Sequence, residues 1–322
     1  MFDLITIGDT TLDTFIIINN DSKQVNLNAA EKLLCLNFAD KICLNHIDQS
    51  MGGNAANVAV GTSKLELTTG LVSELGDDIN GYTIHHALEH AGVDTSFVQI
   101  RKNKETRFSI VLNYKSERTI LSYHAPRTYT LPKLPKTDWV YYTSLGAGFE
   151  KIQKKIESYL DKHPDTKLAM NPGSYQMNNG LKTIKKILHR VDVLFLNKEE
   201  ADKLIGEKQS IKQSIKKLHE LGAKKIIVTD SINGSYASDG ENVYFMKIYP
   251  IKAKAKTGAG DAYTSGFLSA TILGKDLQTA MSWATANAGG VIKKIGAQNG
   301  LLTKYGIKRI CNTYKHIFPK QI

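Results

Sequence analysis

The absences in this sequence narrow its possibilities first. Cysteine is scarce: Cys35, Cys43 and Cys311 make three, with no CxxC pair. An odd, scattered set gives neither a disulfide framework nor a zinc site, and it suits a reducing, cytoplasmic setting. No apolar run approaches the roughly 18 residues that a membrane span needs, so no membrane partner is expected. The opening Met1-Phe2-Asp3-Leu4-Ile5-Thr6-Ile7-Gly8 lacks a basic stretch before a long apolar core. It reads as a buried first strand and not as a signal peptide. Several phosphate-binding signatures are also missing. There is no GxxxxGKS/T, no GxGxxG after a strand, and no protein-kinase set of Gly-rich loop, strand lysine and HRD motif. That argues against Walker-type NTPases, dinucleotide binding of the Rossmann kind, and protein kinases.

What is present supports a large globular chain. Its 322 residues are 42% hydrophobic and 23% charged, enough for one big domain with a sizeable appendage. The formal net charge of +11 invites a nucleic-acid reading. The lysines, however, are spread along the chain, as in Lys154-Lys155, Lys185-Lys186 and Lys216-Lys217, at polar positions of apparent helices. Arginine is scarce and no basic run is interleaved with aromatics, so nucleic acid is not the expected partner. A basic surface would instead help to steer small anions.

Lys256-Thr257-Gly258-Ala259-Gly260-Asp261 is the stretch around which the chain is organised. Its glycines let the backbone turn steeply beside a ligand. The run from Ala262 to Ala270 has no Pro and predicts a helix, whose first turn presents unpaired N–H groups and the positive end of its dipole. Those features together make an anion site. Asp261 at its mouth is either a helix cap or a base that takes a proton from an attacking hydroxyl. A second Gly-rich loop, Gly52-Gly53-Asn54-Ala55-Ala56-Asn57-Val58-Ala59-Val60-Gly61, also runs into a small-residue helix, expected over 54–64.

As a pair, and in this order, the two stretches resemble both signatures of the PfkB (ribokinase-like) family of small-molecule kinases. The resemblance extends over essentially the whole chain. It implies phosphoryl transfer from ATP, with Asp261 as base and the N–H groups of Gly258, Ala259 and Gly260 as an anion hole. It assigns Gly52, Gly53 and Asn57 to the acceptor pocket and gives Asp13 two sugar hydroxyls to bind, which a carboxylate can do bidentately. Asn197-Lys198-Glu199-Glu200 fits the family's NxxE motif, so Asn197 and Glu200 would position magnesium and nucleotide phosphates through water. A carboxylate suits magnesium, which takes few protein ligands. The same residues also read as an N-cap with an acidic first turn. Thr229 to Gly234 corresponds to a TLGxxG loop beside the nucleotide, with Ser231 in place of its first glycine. Asn287, on a helix capped by Asp276, corresponds to the adenine pocket.

The pattern of elements agrees with such a fold. Apolar runs of strand length at 140–143, 168–170, 193–196 and 226–229 alternate with helical stretches near 149–162, 178–190 and 198–221, which implies a parallel sheet covered on both faces. Ligands lie beyond the carboxyl ends of such strands, here Gly8-Asp9, Asn171-Pro172-Gly173, Asn197 and Thr229-Asp230. A helix is expected over 81–90, and its His85, His86 and His90 lack a carboxylate or cysteine to complete a metal set. Alternating runs at 107–112 and 118–123 around Asn113-Tyr114-Lys115-Ser116-Glu117 predict a hairpin. With residues 14–50 it would form a discontinuous β lid that excludes water from the acceptor pocket.

The expectation is one doubly wound α/β domain over 1–322, with lid segments about 14–50 and 105–125. It would phosphorylate a hydroxyl of a small sugar or sugar derivative, using ATP and Mg2+. A nucleoside kinase is the alternative, since Phe108 and Tyr123 on the lid offer surfaces for stacking on a base. A non-catalytic binder of a ligand or nucleic acid is the reading from another class. Ribokinases carry a Glu after the strand matching 140–143, whereas here Ser144-Leu145-Gly146-Ala147-Gly148 has none. Many relatives also read Asp-Thr-x-Gly-Ala-Gly-Asp, the first Asp helping to hold a monovalent cation. Ala255 and Lys256 stand there instead, so activity indifferent to such cations is expected. Exposed lid strands offer a homodimer interface.

Overall fold

The structure is a computed structural model and describes residues 1–28, 30, 31, 33–115 and 117–322. Ser116 of the expected hairpin turn lies outside the described residues, as do Ala29 and Lys32 in the 14–50 segment. A ten-stranded sheet forms the body. From one edge its strands are Lys320–Gln321, Val243–Met246, Ser235–Ser238, Lys225–Thr229, Val193–Asn197, Lys167–Met170, Thr137–Tyr142, Phe2–Ile7, Thr69–Gly76 and Val98–Arg101. The pairs from Lys225–Thr229 through Val98–Arg101 are parallel, and the strands beyond Lys225–Thr229 are appended antiparallel.

Strand alternation sends neighbouring residues to opposite faces, and both faces are covered. Ile5, Val140, Tyr142, Leu168, Met170, Leu194 and Ile226 pack against the Phe149–Lys162 helix and its neighbours. Leu4, Tyr141, Ala169, Val193 and Phe195 pack on the other face against Phe267, Leu268 and Met281 of the helices Ala259–Ile272 and Leu277–Val291. The chain leaves Phe2–Ile7 toward one edge of the sheet and later fills the other side from Thr137–Tyr142. The crevice for a ligand therefore opens where those two strands end, at Gly8-Asp9 and Thr143-Ser144.

Four further strands, Leu44–Gly52, Thr11–Ile18, Phe108–Tyr114 and Glu117–Tyr123, make a separate small sheet, with a Val25–Asn28/Leu33–Leu36 hairpin beside it. These small sheets form the lid. Two expected helices are broken. The stretch 178–190 comprises Ser174–Asn179, Leu181–Ile187 and a short 3-10 turn, with Gly180 packed on the Phe149 ring where a Cβ would lie 2.2 Å from Cζ. The stretch 198–221 splits into Lys198–Ile205 and Ile211–Glu220. Gly206 ends the first at φ 91° and Ser210 caps the second, accepting from Gln213 N.

Candidate active site

Two helices bring the two Gly-rich stretches together. Asn54–Lys64 and Ala259–Ile272 approach so closely at Gly61 that a Cβ there would lie 2.4 Å from Ser265 Oγ. One turn toward the N-terminus of each helix stand Asn57 and Asp261. Asn57 Nδ2 donates to Asp261 Oδ2 at 2.7 Å. Gln298 Nε2 in turn donates to Asn57 Oδ1 at 2.9 Å, which points the amide nitrogen at the carboxylate.

The Ala259–Ile272 helix begins at Gly258, whose φ of 76° and contact with Ala297 leave no room for a side chain. Asp261 therefore sits in the first turn and is not the cap. Ala259 N donates to Lys256 O at 3.4 Å and Ala262 N to Gly258 O at 2.9 Å. The N–H groups of Gly260 and Asp261 between them precede any helical acceptor. Above Gly260 the space is open, with nothing within 4 Å of a built Cβ. A phosphate oxygen can reach the backbone there.

Burial pushes the Asp261 carboxyl up to about 7. The Asn57 hydrogen bond pulls it back, and the negative charges of Glu200 and Asp13 push it further. These residues from three distant stretches thus share one electrostatic environment. Asp13 lies on the lid strand Thr11–Ile18, level with Ser109, and accepts from Thr11 Oγ1 at 3.0 Å. Burial raises its pKa against the hydrogen bonds of Thr11 and Ser109. Gly52 makes room for it, since a Cβ there would fall 2.2 Å from Asp13 Oδ2. Gly53, at φ 93°, turns the chain into the helix against Asp9 O.

Asn197 and Glu200 form a reciprocal cap of the Lys198–Ile205 helix. Glu200 N donates to Asn197 Oδ1 at 2.8 Å, and Asn197 N to Glu200 Oε2 at 2.9 Å. Asn171 Nδ2 lies 3.5 Å from the same Glu200 oxygen. The cap reading of the motif therefore holds: it uses one carboxylate oxygen, Oε2, and leaves Oε1 outside the cap. Burial raises the Glu200 pKa. No cluster of three or more His, Cys, Asp or Glu fit to hold a metal occurs among the described residues. A lone carboxylate with amide neighbours fits magnesium held partly by water.

Thr229 stands beside Asn197 on the next strand. The loop after it turns through Ser231 at φ 50°, a left-handed conformation matching a position where relatives carry glycine. Gly234 follows at φ 109° and accepts from Asp230 N at 2.8 Å. Asn287 stands apart. It is fully buried, donating to Ala262 O and Ser265 Oγ and accepting from Leu302 N, so its polar atoms brace two helices and a loop.

Lys256 is exposed, 3.8 Å from Glu117 of the lid. Phe108 and Tyr123 pair at 5.5 Å, but alternation sets Phe108 on the face opposite Ser109 and Asp13. They stand on the face of the small sheet opposite Asp13. His85 and His86 lie near Glu89 at 3.7 and 3.4 Å.

Sequence reasoning missed Gln298, a single glutamine in a loop, for which only the fold gives a signal. It also missed a buried cluster behind the acceptor side. Asp9 pairs with Arg107 and accepts from Tyr129 Oη at 3.0 and 3.1 Å, while Gly146 N donates to that same hydroxyl at 2.7 Å. Burial lifts Asp9 to about 6 against the pull of Arg107.

The model of the pfkB family carbohydrate kinases matches residues 21–304. The chain is 27% identical over 297 residues to a 5-dehydro-2-deoxygluconokinase of Bacillus licheniformis, covering 81% of this chain and 86% of that one. It is 26% identical over 308 residues to a nucleoside kinase of Methanothermobacter thermautotrophicus, covering 93% and 92%. Its fold matches that of Arabidopsis thaliana ribokinase complexed with ribose and ATP, with a TM-score of 0.77 and 21% identity over 96% of this chain and 98% of the other.

Proposed function

The chain belongs to the pfkB family of carbohydrate kinases, phosphotransferases that act on hydroxyl groups, and within it we propose an ATP-dependent kinase of a small sugar or sugar derivative. The observation that carries this reading is Asp261: a carboxylate with a pKa near 7, set beside the open N–H groups of its own helix. A base with that value is half ionised at neutral pH and can both accept and hold a proton.

Asp13 binds acceptor hydroxyls, and Gly52, Gly53 and Asn57 shape the pocket around them. Asp261 takes the proton as the acceptor oxygen bonds to the γ-phosphorus and the bond to the ADP oxygen breaks. The N–H groups of Gly260 and Asp261, which have no helical acceptor, hold the charge on the transferred group with that of Gly258 beside them, while Ala259 N, expected there as well, is engaged by Lys256 O. Asn197, Thr229 and Gly234 flank the nucleotide. Glu200 would hold magnesium through water, and the ion would offset polyphosphate charge. The whole chain acts as one domain, lid segments 14–50 and 105–125 closing over the acceptor. The outward-facing Phe108 and Tyr123 remove the stacking surface that a nucleoside would use, which favours a sugar.

The test is a panel of sugars and nucleosides assayed with ATP and Mg2+. A sugar should give the highest kcat/KM, lost in Asp261→Asn. A nucleoside exceeding every sugar would overturn the substrate class.

A further inference from the structure

The crevice of the body opens where the strands Phe2–Ile7 and Thr137–Tyr142 end, and one lid residue reaches both of its walls. Arg107 precedes the strand Phe108–Tyr114, and Leu12 N donates to its carbonyl at 3.0 Å, so the pairing with the strand of Asp13 extends to it. Standing two positions before Ser109, it sends its side chain to the face that Ser109 and Asp13 share. The guanidinium is buried there. Nη1 pairs with Asp9, just after the first strand, and Nε donates to Ala125 O at 3.2 Å. Nη2 lies against Gly146, in the loop after Thr137–Tyr142, where a Cβ would meet it at 2.9 Å.

Nη2 is the nitrogen left over. It has no hydrogen-bond partner among the described residues, and it is not sealed from solvent as Nε and Nη1 of Arg127 are. Its neighbours satisfy one another: Tyr129 Oη donates to Asp9 and accepts from Gly146 N at 2.7 Å. Charge also differs along the crevice. Beyond burial, the charges that raise the Asp261 pKa are those of Glu200 and Asp13, and that of Arg107 is not among them, which sets the base and the guanidinium apart. Around Asp9, burial works against the pull of Arg107 and Arg127. His124, bonded to Ser122 Oγ at 3.1 Å, has its pKa lowered by burial and by the same Arg107 cation. Glu74 nearby is taken by Arg101 at 2.6 Å. Two arginines and a histidine thus face one carboxylate.

We propose that Arg107 is a specificity-determining residue of the acceptor pocket and that the acceptor is a sugar acid, its carboxylate taken by Nη2 while its hydroxyls meet Asp13 and Asp261. The inference rests on the reading of the chain as a kinase of sugar derivatives and names the acceptor class within it. A guanidinium nitrogen can only donate, and its bond to a carboxylate, with both partners charged, is stronger than its bond to a hydroxyl. The contact uses one nitrogen, because Nη1 and Nε are occupied. Those two bonds, with the Tyr129 ring 5.8 Å from Cζ, hold the guanidinium in place before an acceptor enters. Since Asp261 stands apart from Arg107, the phosphoryl group goes to a hydroxyl remote from the carboxylate.

The experiment compares acceptors that differ only at the acidic carbon: an aldonate with its alditol, both open chains, and a hexuronate with its hexose, both rings. Calorimetric titration into the full chain, with ADP and Mg2+ saturating, reads binding, and assays with ATP and Mg2+ read turnover. The acid of at least one pair should bind roughly tenfold to a hundredfold more tightly than its neutral partner, the scale of a charged hydrogen bond. Gly146→Ala keeps every charge and crowds Nη2 most closely, so it should weaken that preference through the acid's KM and leave kcat nearly unchanged. Arg107→Met combined with Asp9→Asn leaves no buried charge unpaired and should abolish the preference. If that double variant fails to fold, the wild-type ratios and Gly146→Ala decide the matter. Neutral partners binding wild type as tightly as the acids would overturn the inference, and so would a preference for acids unchanged by Gly146→Ala. Acids that bind preferentially but are never phosphorylated would support the carboxylate site and count against the kinase reading.

Discussion

Asn57 and Asp261, 204 positions apart in the chain, are joined by a hydrogen bond of 2.7 Å, and Gln298 fixes the sense of that bond. Because Asn57 can only donate through Nδ2, it stabilises the ionised carboxylate and lowers its pKa against burial. The kcat/KM profile should therefore rise with pH through a midpoint near 7. Asn57→Ala should move the midpoint upward, and Gln298→Ala should move it less in the same direction. A profile flat from pH 5 to 9 would remove Asp261 as the titrating base.

Asp261→Asn should lower kcat by roughly 10²–10⁴, the usual scale for loss of a general base, while nucleotide binding persists. It should also change stability. Between the ordinary carboxylate value of 3.8 and about 7 the folded chain holds a proton that the unfolded chain releases. Stability from this group is thus present at low pH and lost as pH rises through that window. The Asn variant should gain about 1–3 kcal/mol over wild type at pH 8 and little at pH 4. Urea unfolding at both values measures it.

Asp13→Ala should raise the acceptor KM by roughly 10–100-fold, the cost of lost charged hydrogen bonds, with ATP affinity near normal. If ATP binding suffered and acceptor binding did not, the acceptor pocket would be elsewhere.

Ala255 and Lys256 stand where relatives place a carboxylate for a monovalent cation. Hard cations need oxygen ligands, so wild-type kcat/KM should be the same in potassium, sodium or a bulky organic cation at constant ionic strength. Activation by potassium should emerge in the Ala255→Asp, Lys256→Thr double variant. Strong potassium activation of wild type would refute this. The exposure of Lys256 means that the missing carboxylate, more than the added ammonium, carries the effect.

On the outer face of the lid Ile47 is 55%, Leu121 52% and Phe108 36% exposed. An apolar face on an open sheet seeks cover, and a second copy of this chain is the proposed cover. Wild type should sediment as a dimer, and Ile47→Lys with Leu121→Lys as a monomer that remains folded. A monomeric wild type would end the idea.

The sequence made the parallel strands and the helix Asn54–Lys64 readable because their apolar runs and glycine boundaries are local properties. The break at Gly206 was masked by helix-compatible residues on both sides of it. The antiparallel strands Ser235–Ser238 and Val243–Met246 were not foreseen, being short and set beyond the parallel strands. Asp261, Asn57 and Glu200 each belong to a recognisable run of neighbours. Arg107 and Gln298 do not, since what matters about them is a contact made across the fold. Asn287 illustrates the converse: its stretch pointed to the nucleotide, but its side chain is consumed in joining helices.

The parallel pairing of Thr11–Ile18 with Phe108–Tyr114 has a consequence for biosynthesis. The ribosome delivers the chain N-terminus first, so the paired strands that carry Asp13 and Ser109 are synthesised well before the Gly258–Asp261 stretch. The anion loop and its base come only after Thr257. A nascent chain cut short before that point has neither anion loop nor base, so interrupted synthesis leaves an inert fragment and not one that wastes ATP on water.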